Sequence, residues 1–327
     1  MLLVSLAIAG AGFGVAFWVM QRPVPAPTKP PRPEGEVLPP TQLEGLGYLS
    51  ADTNIAFAVQ PGAVEVYAKR TNQDARGLLI NAGLPGELLN SLTNLGLTIP
   101  QIDSLVGGTS LGDAAFMVRF TLVLTLRAEL KDEDEFLERL KAKPQAGGKE
   151  WYDVEVKGLP VTVVARVSPT IWVFGFDAKD LEAAARGGYG TGGRQLSNGL
   201  VTMLSQQVPA DAAAWVATND ERWLEKPGVK FLVENGVKKA EWLPALAHAR
   251  GGMAALVLGE QPRLRLFVKV DDAATGKQVR DYFAKRAATD AKIKHGGEGE
   301  SAFFDAPLDP ANAFGTIQQF LRDVEKK

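Results

Sequence analysis

The chain contains no cysteine. Disulfides, thiolate metal sites, iron–sulfur clusters and cysteine nucleophiles are therefore excluded. Histidine is almost as scarce: His248 and His295 are the two in 327 residues, too few to assemble a multi-histidine metal site. Charge of one sign is also lacking. Lys plus Arg number 36 and Asp plus Glu 38, for a formal net charge of −2. Nucleic-acid binders carry a clear basic excess, so nucleic acid is not an expected partner. No cofactor is expected. What is present is an ordinary globular composition, 46% hydrophobic and 23% charged, with enough apolar side chains to bury a core. The length suits one large domain or two modest ones.

The first stretch, Met1 to Met20, reads MLLVSLAIAGAGFGVAFWVM and holds no charged residue. At 1.5 Å rise per residue such a run matches the roughly 30 Å hydrocarbon core of a bilayer. Trp18 stands where an indole favours the lipid–water boundary. No Lys or Arg precedes the run, unlike a cleaved secretory signal, so residues 1–20 are expected to be a retained transmembrane anchor. Gly10 and Gly14 form a G-x-x-x-G pair through which two anchors can pack, although Gly and Ala are common in membrane helices anyway. Arg22, Lys29 and Arg32 follow the span. Taken alone, the positive-inside rule turns the large domain toward the cytoplasm.

Residues 21–42 hold Pro23, Pro25, Pro27, Pro30, Pro31, Pro33, Pro39 and Pro40. Such a run favours extended polyproline II and predicts a semi-rigid stalk. Beyond it the chain reads as two related halves, 43–186 and 195–327, separated by a Gly-rich joint at 187–194 that predicts flexibility. Several features recur in order. Asp52 and Asp211 precede apolar runs. A helical region comes next in each half. Gly107-Gly108 and Gly251-Gly252 open strand regions. An acidic helix start follows. Trp151-Tyr152-Asp153 and Phe303-Phe304-Asp305 close each half.

Periodicity supports this layout. Phe116, Val118, Phe120, Leu122, Leu124 and Leu126 alternate with Met117, Arg119, Thr121, Val123 and Thr125, the period of a strand. Leu264, Leu266, Val268 and Val270 alternate likewise with Arg265, Phe267 and Lys269. Residues 161–167 and 171–176 predict a hairpin around Ser168-Pro169-Thr170. Helices are predicted over 132–143, 178–186, 272–288 and 312–326. The expected class is α+β: two repeats, each a mainly antiparallel sheet with helices on one face, after an N-terminal transmembrane helix.

Candidates for chemistry are few. Gly108-Thr109-Ser110-Leu111-Gly112 matches G-x-S-x-G, in which a serine on a strand-to-helix turn becomes a nucleophile. It would need His248 or His295 as base, with a carboxylate such as Asp211 or Asp271. The motif leads into a strand instead of a helix, and a turn between strands explains its glycines equally well. His248 is expected at a helix end and His295 in a polar loop. Asp52 and Asp211 could pair as carboxylates across the halves or serve as turn residues. Trp172, Phe174 and Phe176 could line a greasy cavity for an apolar ligand or lipid, or fill the core. From Lys226 to Lys294, basic side chains are twice as frequent as acidic ones. Arg263, Arg265 and Lys269 would belong to a basic surface for a protein partner or anionic lipid headgroups.

Leu49-Ser50-Ala51-Asp52-Thr53, with Val208-Pro209-Ala210-Asp211 as a second copy, follows an anchor and a proline-rich stalk. In this the chain resembles uncharacterised membrane-anchored extracytoplasmic repeat proteins of planctomycete-type bacteria, loosely over residues 47–320. Members usually carry proline where Ser50 stands. The resemblance implies an outward-facing, non-catalytic domain on the periplasmic side, and it supplies no catalytic residues. The expected function is membrane-anchored binding or scaffolding. The alternatives are an apolar-ligand or lipid carrier and a serine hydrolase using Ser110.

Overall fold

Antiparallel ladders dominate the architecture. The computed structural model describes residues 33, 35–81, 86–111, 118–145, 150–155, 161–181, 186, 188, 190, 193–218, 248–288 and 290–316. The anchor region 1–20, with Gly10 and Gly14, lies outside them. Among the described residues no helix is long and apolar enough to cross a membrane.

The strands are β1 (Ile55–Val59), β2 (Ile102–Leu111), β3 (Val118–Leu126), β4 (Lys143–Pro144), β5 (Trp151–Asp153), β6 (Val163–Ser168), β7 (Ile171–Gly175), β8 (Ala212–Thr218), β9 (Ala249–Val257), β10 (Arg263–Val270), β11 (Lys294–Gly296) and β12 (Ser301–Pro307). They join in one sheet ordered β11-β12-β10-β9-β8-β1-β2-β3-β7-β6-β5-β4. The described helices are α1 (Pro61–Thr71), α2 (Ala75–Asn81), α3 (Gly86–Asn94), α4 (Glu133–Arg139), α5 (Asn198–Thr202) and α6 (Ala273–Ala287). The chain is therefore α+β with a large antiparallel sheet.

The seam of the sheet is the antiparallel pair β1 and β8. Ile55 stands opposite Thr218, Phe57 opposite Val216 and Val59 opposite Ala214. This register is symmetric about the Phe57–Val216 pair, and Asp52 and Asp211 each stand five residues before its own member of that pair. From the seam, β2 and β3 lead one way, β9 and β10 the other. Each arm then has an Asp-capped helix. Asp132 accepts from the Glu135 amide at 2.9 Å to start α4, and Asp272 accepts from the Thr275 amide at 2.9 Å to start α6. A short hairpin follows, with Lys143 opposite Asp153 in one arm and Lys294 opposite Asp305 in the other. The first arm alone inserts the β6–β7 hairpin between its third strand and this pair.

Several expectations need correction. The halves share one continuous sheet, because the backbone groups of β1 and β8 pair with each other and leave no sheet edge between them. Helices cover both faces, not one. Val64, Tyr67, Leu79, Leu92 and Phe136 from α1–α4 pack one face with Leu122, Leu124 and Trp172. Leu43, Leu46 and Leu49, with Leu200 and Leu204 from α5 and the π-helical turn after it, pack the other with Ala58, Val106, Val123 and Trp215. A third cluster joins Val279 and Phe283 of α6 to Phe304 and Ala302.

Both glycine pairs lie inside strands. Gly107 faces Leu122 across β3, whereas Gly251 faces Lys269 across β10. Aligned on Asp52 and Asp211, the two pairs fall at different heights. His295 belongs to β11, and His248 occupies a turn at the start of β9. The predicted 178–186 helix begins as a 3-10 turn, Ala178–Leu181. α4 ends early because Lys141 adopts φ 52, the left-handed conformation that stops a helix. Of the predicted 312–326 helix, residues 313–316 are helical and the rest lies outside the described residues.

The described end of the proline-rich stretch and the described residues of the joint also dock onto the sheet. Gln60 Oε1 accepts from the Leu38 amide at 2.8 Å, and its Nε2 donates to Leu38 O at 2.9 Å and Ala212 O at 3.2 Å. The end of the proline-rich stretch is therefore part of the fold. In the joint, Gly188, Gly190 and Gly193 have positive φ. A Cβ on Gly47 would come within 2.2 Å of the Gly190 carbonyl oxygen, so that approach requires glycine. Gln195 Nε2 then donates to Leu46 O at 2.7 Å. The described part of the joint is thus held against the first half.

Candidate functional site

The motif serine meets Asp52 and Arg119 at one end of the seam, and Asp211 meets Arg263 at the other. Ser110 lies within β2, opposite Arg119 of β3. Asp52 sits in the turn before β1. Ser110 Oγ donates to Asp52 Oδ1 at 3.1 Å, and Arg119 Nη1 stands 3.3 Å from Asp52 Oδ2. Ser50 Oγ donates to the same carboxylate. In the other arm Arg263, the first residue of β10, stands 3.3 Å from Asp211 Oδ1. Each aspartate thus reaches across the second strand of its arm to an arginine at the start of the third.

This geometry separates the two carboxylates. Because β1 and β8 are antiparallel, Asp52 and Asp211 lie at opposite ends of them, about 20 Å apart at the ordinary rise of a strand. They form no paired site. Ser110 has no histidine beside it either. From β2 to β9 is three strand steps, about 14 Å, and His248 instead places Nδ1 3.8 Å from Asp271 Oδ2. His295 stands opposite Phe304 on the edge strand.

Electrostatics agree. Burial, the largest influence, pushes the Asp52 carboxyl up, but hydrogen bonds from Ser50 and Ser110 and the Arg119 charge outweigh it. Its pKa is held below the usual carboxylate value. A carboxylate with a lowered pKa is a poor general base. The linkage sign follows. A depressed pKa contributes stability above the unfolded value, and that stability is lost as pH falls through the folded value. We expect Asp52→Asn to lower stability at pH 7 by less than about 1 kcal/mol, since the pair is half-exposed. The difference from wild type should shrink below about pH 4, as urea titrations at stepped pH would show.

The aromatic candidates divide. Trp172 and Phe174 are fully buried in β7, and the Trp172 ring meets Phe136 edge-on at 4.9 Å. They pack in the first core cluster. Phe176 is 50% exposed past the end of β7. An apolar hollow does open elsewhere, of about 240 Å³, between Leu89, Leu92, Leu97 and Ile102. Periodicity missed it because it arises where α3 meets the turn before β2. Among the described residues no group of three or more His, Asp or Glu could hold a metal ion.

Arg263, Arg265 and Lys269 do share one face of β10, with Phe267 between the last two. The alternation that puts Phe267 among them was visible, but its packing against the second core cluster was not.

No family model and no curated protein matches the chain. Among solved structures the chain is similar to TP0453 in its crystal form III. The TM-score is 0.49 at 8% identity, over 85% of this chain and 98% of that one.

Proposed function

We propose that this chain is a membrane-anchored, non-catalytic binding or scaffolding protein whose large domain faces the extracytoplasmic, periplasmic side. Residues 1–20 serve as the anchor and the proline-rich stretch as a stalk. Residues 43–186 and 195–327 are the two related units, merged into one sheet. The matched Asp–Arg bridges, Asp-capped helices and Lys–Asp hairpin pairs support that relation. The resemblance to planctomycete-type extracytoplasmic proteins supports the location.

One observation carries the non-catalytic reading. The Ser110 hydroxyl is spent as a donor to an ionised Asp52, and the histidines lie in other strands' surroundings. A serine nucleophile needs a base positioned to take its proton. For the carrier reading, Trp172 and Phe174 are taken up by the core cluster and Phe176 remains half-exposed.

The test exploits the missing cysteines. Lys277→Cys places a single thiol at a position 72% exposed. We expect intact cells to label it with a membrane-impermeant maleimide, and the full chain to sediment with membranes. Deleting residues 1–20 should release it. A fluorophosphonate probe should label wild type and Ser110→Ala equally poorly. Labelling only after lysis would overturn the orientation, and Ser110-dependent probe labelling would overturn the absence of catalysis.

A further inference from the structure

The apolar hollow beside α3 is shaped by two backbone devices. Leu89 and Leu92 fall on one stripe of α3, three residues apart. The helix stops at Gly96, φ 81. There the Gly96 amide donates to Thr93 O at 2.9 Å and the Leu97 amide to Leu92 O at 3.0 Å. That double bond pattern turns the chain back on the last helical turn and brings Leu97 to the hollow. Gln101 Oε1 then accepts from the Thr98 amide at 2.7 Å and sets the turn that leads into Ile102 of β2. The walls are thus fixed by hydrogen bonds around a space of about 240 Å³.

Half-buried Arg76 of α2 stands at the mouth. Its Nη1 donates to Thr93 Oγ1 at 3.4 Å and its Nη2 to Asn90 Oδ1. Both partners are neutral. Among the described residues no carboxylate pairs with this guanidinium, and none lines the hollow. Asp74 is already engaged, accepting from the Gly77 amide at 2.7 Å to start α2. A guanidinium fork matches a carboxylate, and charged hydrogen bonds are about twice as strong as neutral ones. Behind it the walls are leucine and isoleucine side chains, with no aromatic ring to stack a planar ligand. An apolar cavity of roughly 150 Å³ holds benzene, so the larger hollow holds a chain of about eight to ten carbons.

We infer that this hollow binds the aliphatic chain of a medium-length fatty acid, whose carboxylate pairs with Arg76 at the mouth. This names a ligand class for the binding role proposed above and rests on that role. It uses none of Trp172, Phe174 and Phe176. Its test, made on purified full-length protein in nonionic detergent, does not depend on location.

The probe is radiolabelled octanoate in equilibrium dialysis, with uptake by detergent alone subtracted. We expect saturable binding that tightens about three- to fourfold per added methylene from hexanoate to octanoate. Arg76→Gln, a surface change that folding tolerates, should weaken octanoate at least tenfold and leave octanol unchanged. Ile99→Trp on the half-buried wall should fill the hollow and weaken both. Lys277→Gln on exposed α6 should change neither. Equal octanoate binding by wild type and Arg76→Gln would overturn the inference, and so would the absence of saturable binding. Displacement of octanoate by benzoate or dihexanoyl-phosphatidylglycerol at lower concentration than by unlabelled octanoate would overturn the ligand class. Failure here with periplasmic labelling intact would remove the site and leave the location standing.

Discussion

Trp172→Ala lowers the free energy of unfolding by about 3–5 kcal/mol, the usual loss when a large aromatic is cut from a packed core. This is the largest effect we expect from a single substitution. Trp172 is among the largest fully buried side chains. It stands opposite Leu124 of β3 and Arg166 of β6, and its ring holds α4 to the sheet through Phe136. The shortened side chain leaves a hole that the neighbouring strands cannot close without breaking their ladders. Trp172→Phe gives the discriminating comparison. The indole N–H has no hydrogen-bond partner among the described residues, so phenylalanine removes a polar burial while keeping most of the ring. We expect it to cost less than about 1.5 kcal/mol. Urea midpoints followed by far-UV circular dichroism would measure both. A Trp172→Ala loss below about 1 kcal/mol would mean the ring lines a space that tolerates its removal, and would revive the carrier reading.

Gln60→Leu is the second large effect, at about 2–4 kcal/mol. Gln60 is 2% exposed. It bonds both backbone groups of Leu38 and the carbonyl of Ala212. Leucine matches its volume but leaves those groups without their partner, each at a cost of order 1–3 kcal/mol when buried. One amide thus ties the end of the stalk to both sides of the seam. Hydrogen exchange at Leu38 should accelerate in the variant along with the loss of global stability. Unchanged exchange there would show that the stalk end is held by other contacts.

Much of the first layer of structure was readable from residue order. The alternation in β3 and β10 follows residue type along each strand, although residues 121–126 of β3 are buried on both faces, between the first and second core clusters. The 161–176 hairpin and the start of α6 were marked by Pro169 and Asp272. The recurring aspartates and the aromatic-aromatic-Asp closings do occupy matching positions in the two arms. The glycine pairs do not, because glycine inside a strand signals close approach as readily as a turn. At Gly107 the close neighbour is the Phe57 ring. His295 read as loop because a three-residue edge strand is too short to show a period. The polar contacts of Ser110 were hidden for another reason. Asp52 and Arg119 lie 58 and 67 positions apart from their partners, Ser110 and Asp52, along the chain.

Residue order by itself determined the α+β class, the strand periods, the capped helix starts and the absence of thiol chemistry. These depend on side-chain type and local backbone preference, which act over a few positions. Tertiary structure alone decided that both halves share one sheet, that Asp52 and Asp211 stand at opposite ends of its seam, and that Trp172 is core. Those facts depend on which strands pair and in what register, and pairing is set by burial and hydrogen bonding between segments far apart in the chain.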